Sequence, residues 1–393
     1  MPILEEYVAG AKALVGEDHQ AVINGRYSLG FAAHDSGDYR KAAHHLSRAL
    51  ESQTRGKGPE ALPDNRLTVP LILGRSQNKI GDADGAIVSM TAYLPVLAIK
   101  WSKKPEMLAR CLDVIAEAAM AKHEYQLAVT AYEKALDYWI AAEGKTSQNA
   151  LSDALLLAEA HAKAGAPAKG LAVLRDAEQA LSKAKKPDIP IILKVKNNQA
   201  GKLVDMGRYD QARQVYEAVL EMSIRVNGKD SEDALMALGN LATTWSLLGD
   251  EKKALDLRLE ALDGFTRTLG PDKRLTLSTA LNVVNSYKDL NRYDEGLALV
   301  EKTLDSCRKT LGEKDLLTFR AWNTLGQLQI KIGEYDKAIK TFETNLAAMQ
   351  GVLPEGHLRI VTAWEGIAVA YANRDDAGKN IAKASEYLSK VWK

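Results

Sequence analysis

A punctuation mark returns through this chain every 42 residues. It falls at Gly37, Gly81, His123, Gly165, Gly207, Gly249, Asn291 and Gly333; each step from Gly81 onward is 42 residues, and the first is 44. Five residues after the marks stand Ala42, Ala86, Ala128, Gly170, Ala212, Ala254, Gly296 and Ala338. Seven before them stand Gly30, Gly74, Ala116, Ala158, Ala200, Ala242, Val284 and Gly326. A fixed period with small residues at two fixed phases specifies a stacked repeat architecture.

One repeat, Asp272 to Glu313, shows the physics. Leu277, Leu281, Val284 and Tyr287 are spaced three or four apart, which predicts one face of a helix over Leu275–Leu290. Asn291 ends it, as a residue that tolerates left-handed φ does. A second helix is predicted from about Tyr293 to Leu311, carrying Leu297, Leu299, Val300 and Leu304. The short break makes the two helices antiparallel neighbours. Small residues at the crossing let the backbones approach closely. One hairpin cannot bury both its faces, whereas about nine stacked hairpins share a continuous core.

These phases resemble the tetratricopeptide repeat. Its signature is visible in Trp322-Asn323-Thr324-Leu325-Gly326 and, more loosely, in Trp364-Glu365-Gly366-Ile367-Ala368. The second-helix part is visible in Gly333-Glu334-Tyr335-Asp336-Lys337-Ala338 with Phe342, and in Gly207-Arg208-Tyr209-Asp210-Gln211-Ala212 with Tyr216. The 42-residue period, the linkers at Gly270 and Gly312, and the Asn198, Asn240, Asn282 row are similar to the kinesin-light-chain subtype. The resemblance implies an all-α fold: a right-handed, superhelical solenoid of antiparallel helix pairs. Its expected organisation is a single solenoid domain over 1–393. Residues 1–20 are a partial repeat or capping helix, 21–372 eight full repeats, and 373–393 a terminal second helix. Whether the array continues beyond this chain or is capped at both ends stays open. Two linkers depart from the common form, Arg55–Pro70 and Lys183–Pro190, and both read as flexible or shaped loops.

Bulk composition excludes several functions. Lys and Arg number 52 against 51 Asp and Glu, so the electrostatic footprint of a nucleic-acid or anionic-membrane binder is missing. No run of about 18 apolar residues predicts a membrane span. The N-terminus carries no signal-peptide pattern. Cys111 and Cys307 lie several repeats apart and read as reduced thiols, consistent with a cytoplasmic location. Cys307 takes a slot held elsewhere by Leu97, Trp139, Leu181 and Phe265, so it is expected in the core. Seven histidines include His34, His44 and His45 but no metal-ligating spacing. Adjacent His44 and His45 point about 100° apart on a helix and cannot ligate one ion together. No phosphate loop and no nucleophile elbow occurs. Acidic pairs such as Asp375-Asp376 read as turn and cap residues. No catalytic residue, metal or cofactor is expected, and the chain is not expected to be an enzyme.

The resemblance implies that first helices line a concave groove. Positions 13, 10, 6 and 3 before each mark form the groove stripe. In the last four repeats they bring up Lys194 and Asn197; Asn285 and Lys288; Arg320 and Asn323. Asn240 and Asn282 lie one residue off the stripe, placed either to bind or to tie neighbouring helices together. Amides suit a peptide backbone, and Lys or Arg suits carboxylates. The stripe in the earlier repeats, with Arg75, Asn78, Arg110, Asp113, Glu117 and Glu159, mixes both signs. The expected role is a monomeric protein–protein interaction scaffold that holds an extended peptide or partner segment, with no nucleic acid and no membrane. The alternative is a regulatory sensor module of a larger signalling protein.

Overall fold

The computed structural model describes the chain apart from residues 185–187, 355, 375–376 and 392–393, and without the side chains of 377–381 and 391. The described residues form nineteen α-helices and two short 3-10 turns, with no strand among them. They divide into two compact units, Met1–Gly207 and Arg208–Lys393. The first holds α1 Pro2–Val15, α2 Gln20–Asp35, α3 Tyr39–Thr54, α4 Val69–Lys79, α5 Ala83–Lys100, α6 Pro105–Ala121, α7 Tyr125–Glu143, α8 Gln148–Lys163, α9 Pro167–Ser182 and α10 Ile189–Asp205. The second holds α11 Tyr209–Asn227, α12 Glu232–Leu247, α13 Glu251–Leu269, α14 Arg274–Asp289, α15 Tyr293–Thr310, α16 Leu316–Lys331, α17 Tyr335–Met349, α18 Leu358–Asn373 and α19 Ala377–Val391.

The marks are the turns between paired helices, and their backbone explains the pattern. All eight have positive φ: +69° to +89° at the glycines, +61° at His123 and +58° at Asn291. At seven of them the next residue's N–H then reaches the carbonyl five residues back. Asp250 N bonds Trp245 O at 3.0 Å, and Arg292 N bonds Tyr287 O at 2.8 Å. That left-handed cap satisfies helix-end carbonyls and reverses the chain. Within each unit consecutive helices pack in pairs: α6 on α7, for example, and α12 on α13. First helices of successive pairs also touch, α4 on α6 and α14 on α16 on α18. The small residues sit where expected. A Cβ added at Gly30 would lie 2.5 Å from the Leu46 side chain, and one at Gly170 would lie 2.5 Å from the Ala158 carbonyl oxygen.

Several expectations are refined. Arg55–Pro70 is a shaped connection: it folds into turns at Pro59–Ala61 and Asp64–Arg66, buries Leu62 and Leu67, and places Arg66 over the Tyr27 ring. Pro190 belongs to the first turn of α10 rather than to a loop, at a position where a missing N–H costs nothing. Pro187 and the Asp375-Asp376 pair lie outside the described residues. The absence of a long apolar helix does not hold. Helix α5 has the length and composition to span a bilayer, although it packs between α4 and α6 with Ala86, Met90, Tyr93 and Leu97 buried. Both cysteines are buried in the core, as anticipated for Cys307.

Candidate functional site

In the second unit, α14, α16 and α18 lie side by side and wall a cavity of about 750 Å³. Four residues singled out from the sequence converge on it: Asn285, Lys288, Arg320 and Asn323. Arg320 donates through Nη2 to Asn282 Oδ1, so Asn282 joins the site as a tie between α14 and α16. Lys288 Nζ donates to Gln327 Oε1 at 3.0 Å. Both cations therefore rest on neutral amide oxygens. Among the described residues neither they nor Arg359, also on the wall, makes an ion pair. Burial, with the Arg359 and Arg258 guanidiniums nearby, pulls Arg320 below the ordinary arginine value. An arginine stays charged despite such a pull. A smaller cavity of about 290 Å³ shares Lys288, Gln327 and Thr362 and continues past Ile330, Gly366 and Val369. A charged pocket thus opens into a more apolar one.

Arg258 on α13 is the site residue that the groove stripe misses. It is 8% exposed and lines the larger cavity. Its Nη1 donates to Glu251 Oε1 at 2.7 Å and to Ser286 Oγ, whose hydroxyl donates to the same Glu251 oxygen at 2.6 Å. Its buried Nε has no partner. The period itself carried the signal. The slot nine residues after the marks holds Leu46, Met90, Tyr132, Leu174, Tyr216, Arg258, Val300 and Phe342. One charged residue in an otherwise apolar core slot is the anomaly.

Asn323 differs from its expectation as an exposed groove residue. It is 7% exposed, accepts from Asn345 Nδ2 at 2.7 Å and donates to Arg359 O at 3.4 Å. Asn345 Nδ2 also donates to Phe319 O at 3.0 Å. The Asn323 amide thus joins α16, α17 and α18, because the position ten before the mark turns toward the packing; Leu281 at the same phase is fully buried. The remaining candidates are not brought to this cavity. Asn240 is half-buried on α12. Lys194 and Asn197 belong to α10 in the first unit; Lys194 is exposed, its carbonyl accepting from Asn198 Nδ2 at 2.8 Å, and Asn197 is half-buried.

The first unit has its own polar features. A cavity of about 520 Å³ is bounded by His34, Arg75, Asn78 and Glu117. Ser76 Oγ donates to Ile72 O and lies 2.9 Å from His34 Nδ1, which assigns that ring nitrogen the proton. Burial pushes the His34 pKa down, so the ring is neutral near pH 7. In the same unit Asp113 and Asp153 share a hydrogen bond, with Trp139 Nε1 donating to Asp113 Oδ2 at 3.3 Å. No group of three or more His, Cys, Asp or Glu able to hold a metal ion occurs among the described residues.

Residues 192–267 and 275–351 match the tetratricopeptide repeat family. The structure is similar to the apo form of the quorum sensor NprR from B. thuringiensis, at 12% identity and TM-score 0.57, covering 94% of this chain and 98% of that one. It is similar to a signal transduction ATPase with numerous domains and a tetratricopeptide repeat sensor from Pyrococcus horikoshii, at 14% identity and TM-score 0.54, covering 89% of this chain and 52% of that one. A third similarity is to the nearly identical TPR-like repeats of a protein assigned as a kinesin light chain from Podosopora anserina, at 18% identity and TM-score 0.45, covering 51% and 93%. A comparison with curated proteins found no match.

Proposed function

We propose that this chain, a tetratricopeptide-repeat protein, is a non-catalytic scaffold that holds an extended, acidic segment of a protein partner along α14, α16 and α18. The carrying observation is the cavity where Lys288, Arg320 and Arg359 meet beside Asp289 yet make no ion pair among the described residues. Cations so placed outnumber the carboxylate beside them, and an incoming anion gains charge-assisted hydrogen bonds with little reorganisation. From Arg320 to Ile330 the helix rises about 15 Å, the reach of about four or five extended residues. The Asn285 amide can meet a peptide backbone, and the adjoining cavity at Ile330 and Val369 suits an apolar side chain. The two buried, unpaired thiols fit a reducing compartment such as the cytoplasm.

A sensor role in a larger signalling assembly is the second reading. It draws support from the fold shared with proteins named as sensors. The binding reading is tested by capturing partners with the full chain, then measuring the affinity of the captured segment by fluorescence polarisation. Arg320→Ala and Lys288→Ala should each weaken binding about tenfold or more, since a charge-assisted hydrogen bond contributes about 1.5–3 kcal/mol. Unchanged affinity in both variants, with binding abolished by Leu259→Lys on the exposed side of α13, would move the interaction to the second-helix surface.

A further inference from the structure

We infer that the anion this cavity takes is a phosphoryl group, carried on a phosphorylated side chain of the bound segment; this rests on the binding reading above. The argument is charge balance. Glu251 neutralises Arg258 within the wall, and Asp289 at the rim offsets one further cation. Lys288, Arg320 and Arg359 then leave two net positive charges. A carboxylate would satisfy one. A phosphomonoester carries about −1.5 to −2 at neutral pH and presents three acceptor oxygens.

The donor set fits the same group. Arginine's planar fork pairs bidentately with phosphate, and two guanidiniums, Arg320 and Arg359, flank the space from different helices. Arg258 is more than nine-tenths buried against the cavity and keeps an unpartnered Nε–H. Helix α18 begins at the wall, with His357 and Leu358 lining the cavity, so its partial positive end adds to the field. His357 Nδ1 accepts from Arg359 N at 3.2 Å, which leaves Nε2–H as a further donor on a wall residue. The near-neutral chain as a whole argues against a nucleic-acid phosphate as the natural source.

The test uses the full chain and three peptide libraries with randomised flanks, centred on phosphoserine, serine or glutamate. The phosphoserine library should bind about tenfold or more tighter than the glutamate library, as one added charged hydrogen bond implies. The preference should grow from pH 5.5 to 7.5 as the second phosphate proton leaves, with its pKa of about 6. Inorganic phosphate should compete. Arg359→Gln, on a half-buried residue, and Arg320→Gln should each abolish the preference while the circular dichroism melt stays native; the first guards against a folding defect in the second. Equal binding of the glutamate or serine library would overturn the phosphoryl assignment and leave the peptide scaffold standing. Binding by no library would overturn both readings. Tighter binding of a 5′-phosphorylated oligonucleotide than of any peptide would overturn the phosphopeptide assignment in favour of nucleic acid.

Discussion

Phe342 fills a space that two glycines leave. A Cβ on Gly326 would lie 2.6 Å from its ring, and one on Gly366 would lie 2.4 Å away. Even one methyl there forces the ring or a helix to move, and overpacking of this kind costs about 1–3 kcal/mol. Gly326→Ala should therefore lower the unfolding free energy from urea titration by that amount, and adding Phe342→Leu should recover much of it; additive losses would mean the two side chains do not meet. Arg258 occupies the equivalent slot two repeat periods earlier: it holds charge where Phe342 holds volume. Arg258→Leu alone strands Glu251, which is largely buried, and should cost about 1–3 kcal/mol, the penalty for an unpaired buried charge. Arg258→Leu with Glu251→Leu should return stability to the native level or above, because replacing a whole buried ion pair by apolar side chains is often neutral or stabilising. Urea titration of both variants decides the matter. A double variant no more stable than the single one would show that the arginine is there for the fold rather than for the cavity's charge.

Between helices, the Asp113 and Asp153 pair sets a pH dependence. Asp113 on α6 faces Asp153 on α8, and Asp153 is only 4% exposed. Burial holds both above the ordinary carboxylate range; the Asp113 charge pushes Asp153 the further, while the hydrogen bond from Asp153 pulls Asp113 part of the way back, so Asp153 stays protonated near neutrality and donates to Asp113. A carboxyl with a raised folded pKa binds more protons folded than unfolded. Its contribution is intact below the unfolded value of about 4 and is lost as pH rises toward the folded value. Asp153→Asn keeps a donor without the proton. It should stabilise the chain by roughly 1–3 kcal/mol at pH 8 and by little at pH 4, since one pKa unit is worth about 1.4 kcal/mol; a thermal-melt difference independent of pH would remove the shared proton. The sequence could not show this pair, because Asp113 and Asp153 sit at different phases of two successive repeats. The helices themselves were legible because the period fixes their turns. His123 and Asn291 were placed as turn residues by register despite lacking glycine's freedom, and both have positive φ. The burial of Asn323 was not legible, because a stripe drawn on an ideal helix does not show which edge faces the partner helix.

At the scale of the whole chain, each compact unit carries one buried cysteine: Cys111 in Met1–Gly207 and Cys307 in Arg208–Lys393. The boundary at Gly207 has no signature in the sequence, since Gly207 is one more mark in the series. Burial pushes the Cys111 thiol up to about 12 and Cys307 up to about 11. Both should therefore resist a thiol reagent until their surroundings open, which makes each a reporter of its own unit. In a repeat array, stability is approximately a sum of single-repeat and nearest-neighbour contributions. A ligand then stabilises most strongly the repeats that hold it. Cys307 on α15 belongs to the helix pair that contributes α14 to the cavity, and α15 packs against α16. Phosphoserine peptide at a hundred times its Kd should slow labelling of Cys307 about a hundredfold, the labelling equivalent of about 2.7 kcal/mol of linkage. The measurement uses Cys111→Ala to follow Cys307 and Cys307→Ala to follow Cys111, each compared with its own unliganded rate. Cys111 should be protected far less. Equal protection of both thiols would mean that the chain opens as one cooperative block, and protection of Cys111 alone would move the binding site into the first unit, to the cavity bounded by His34, Arg75 and Glu117.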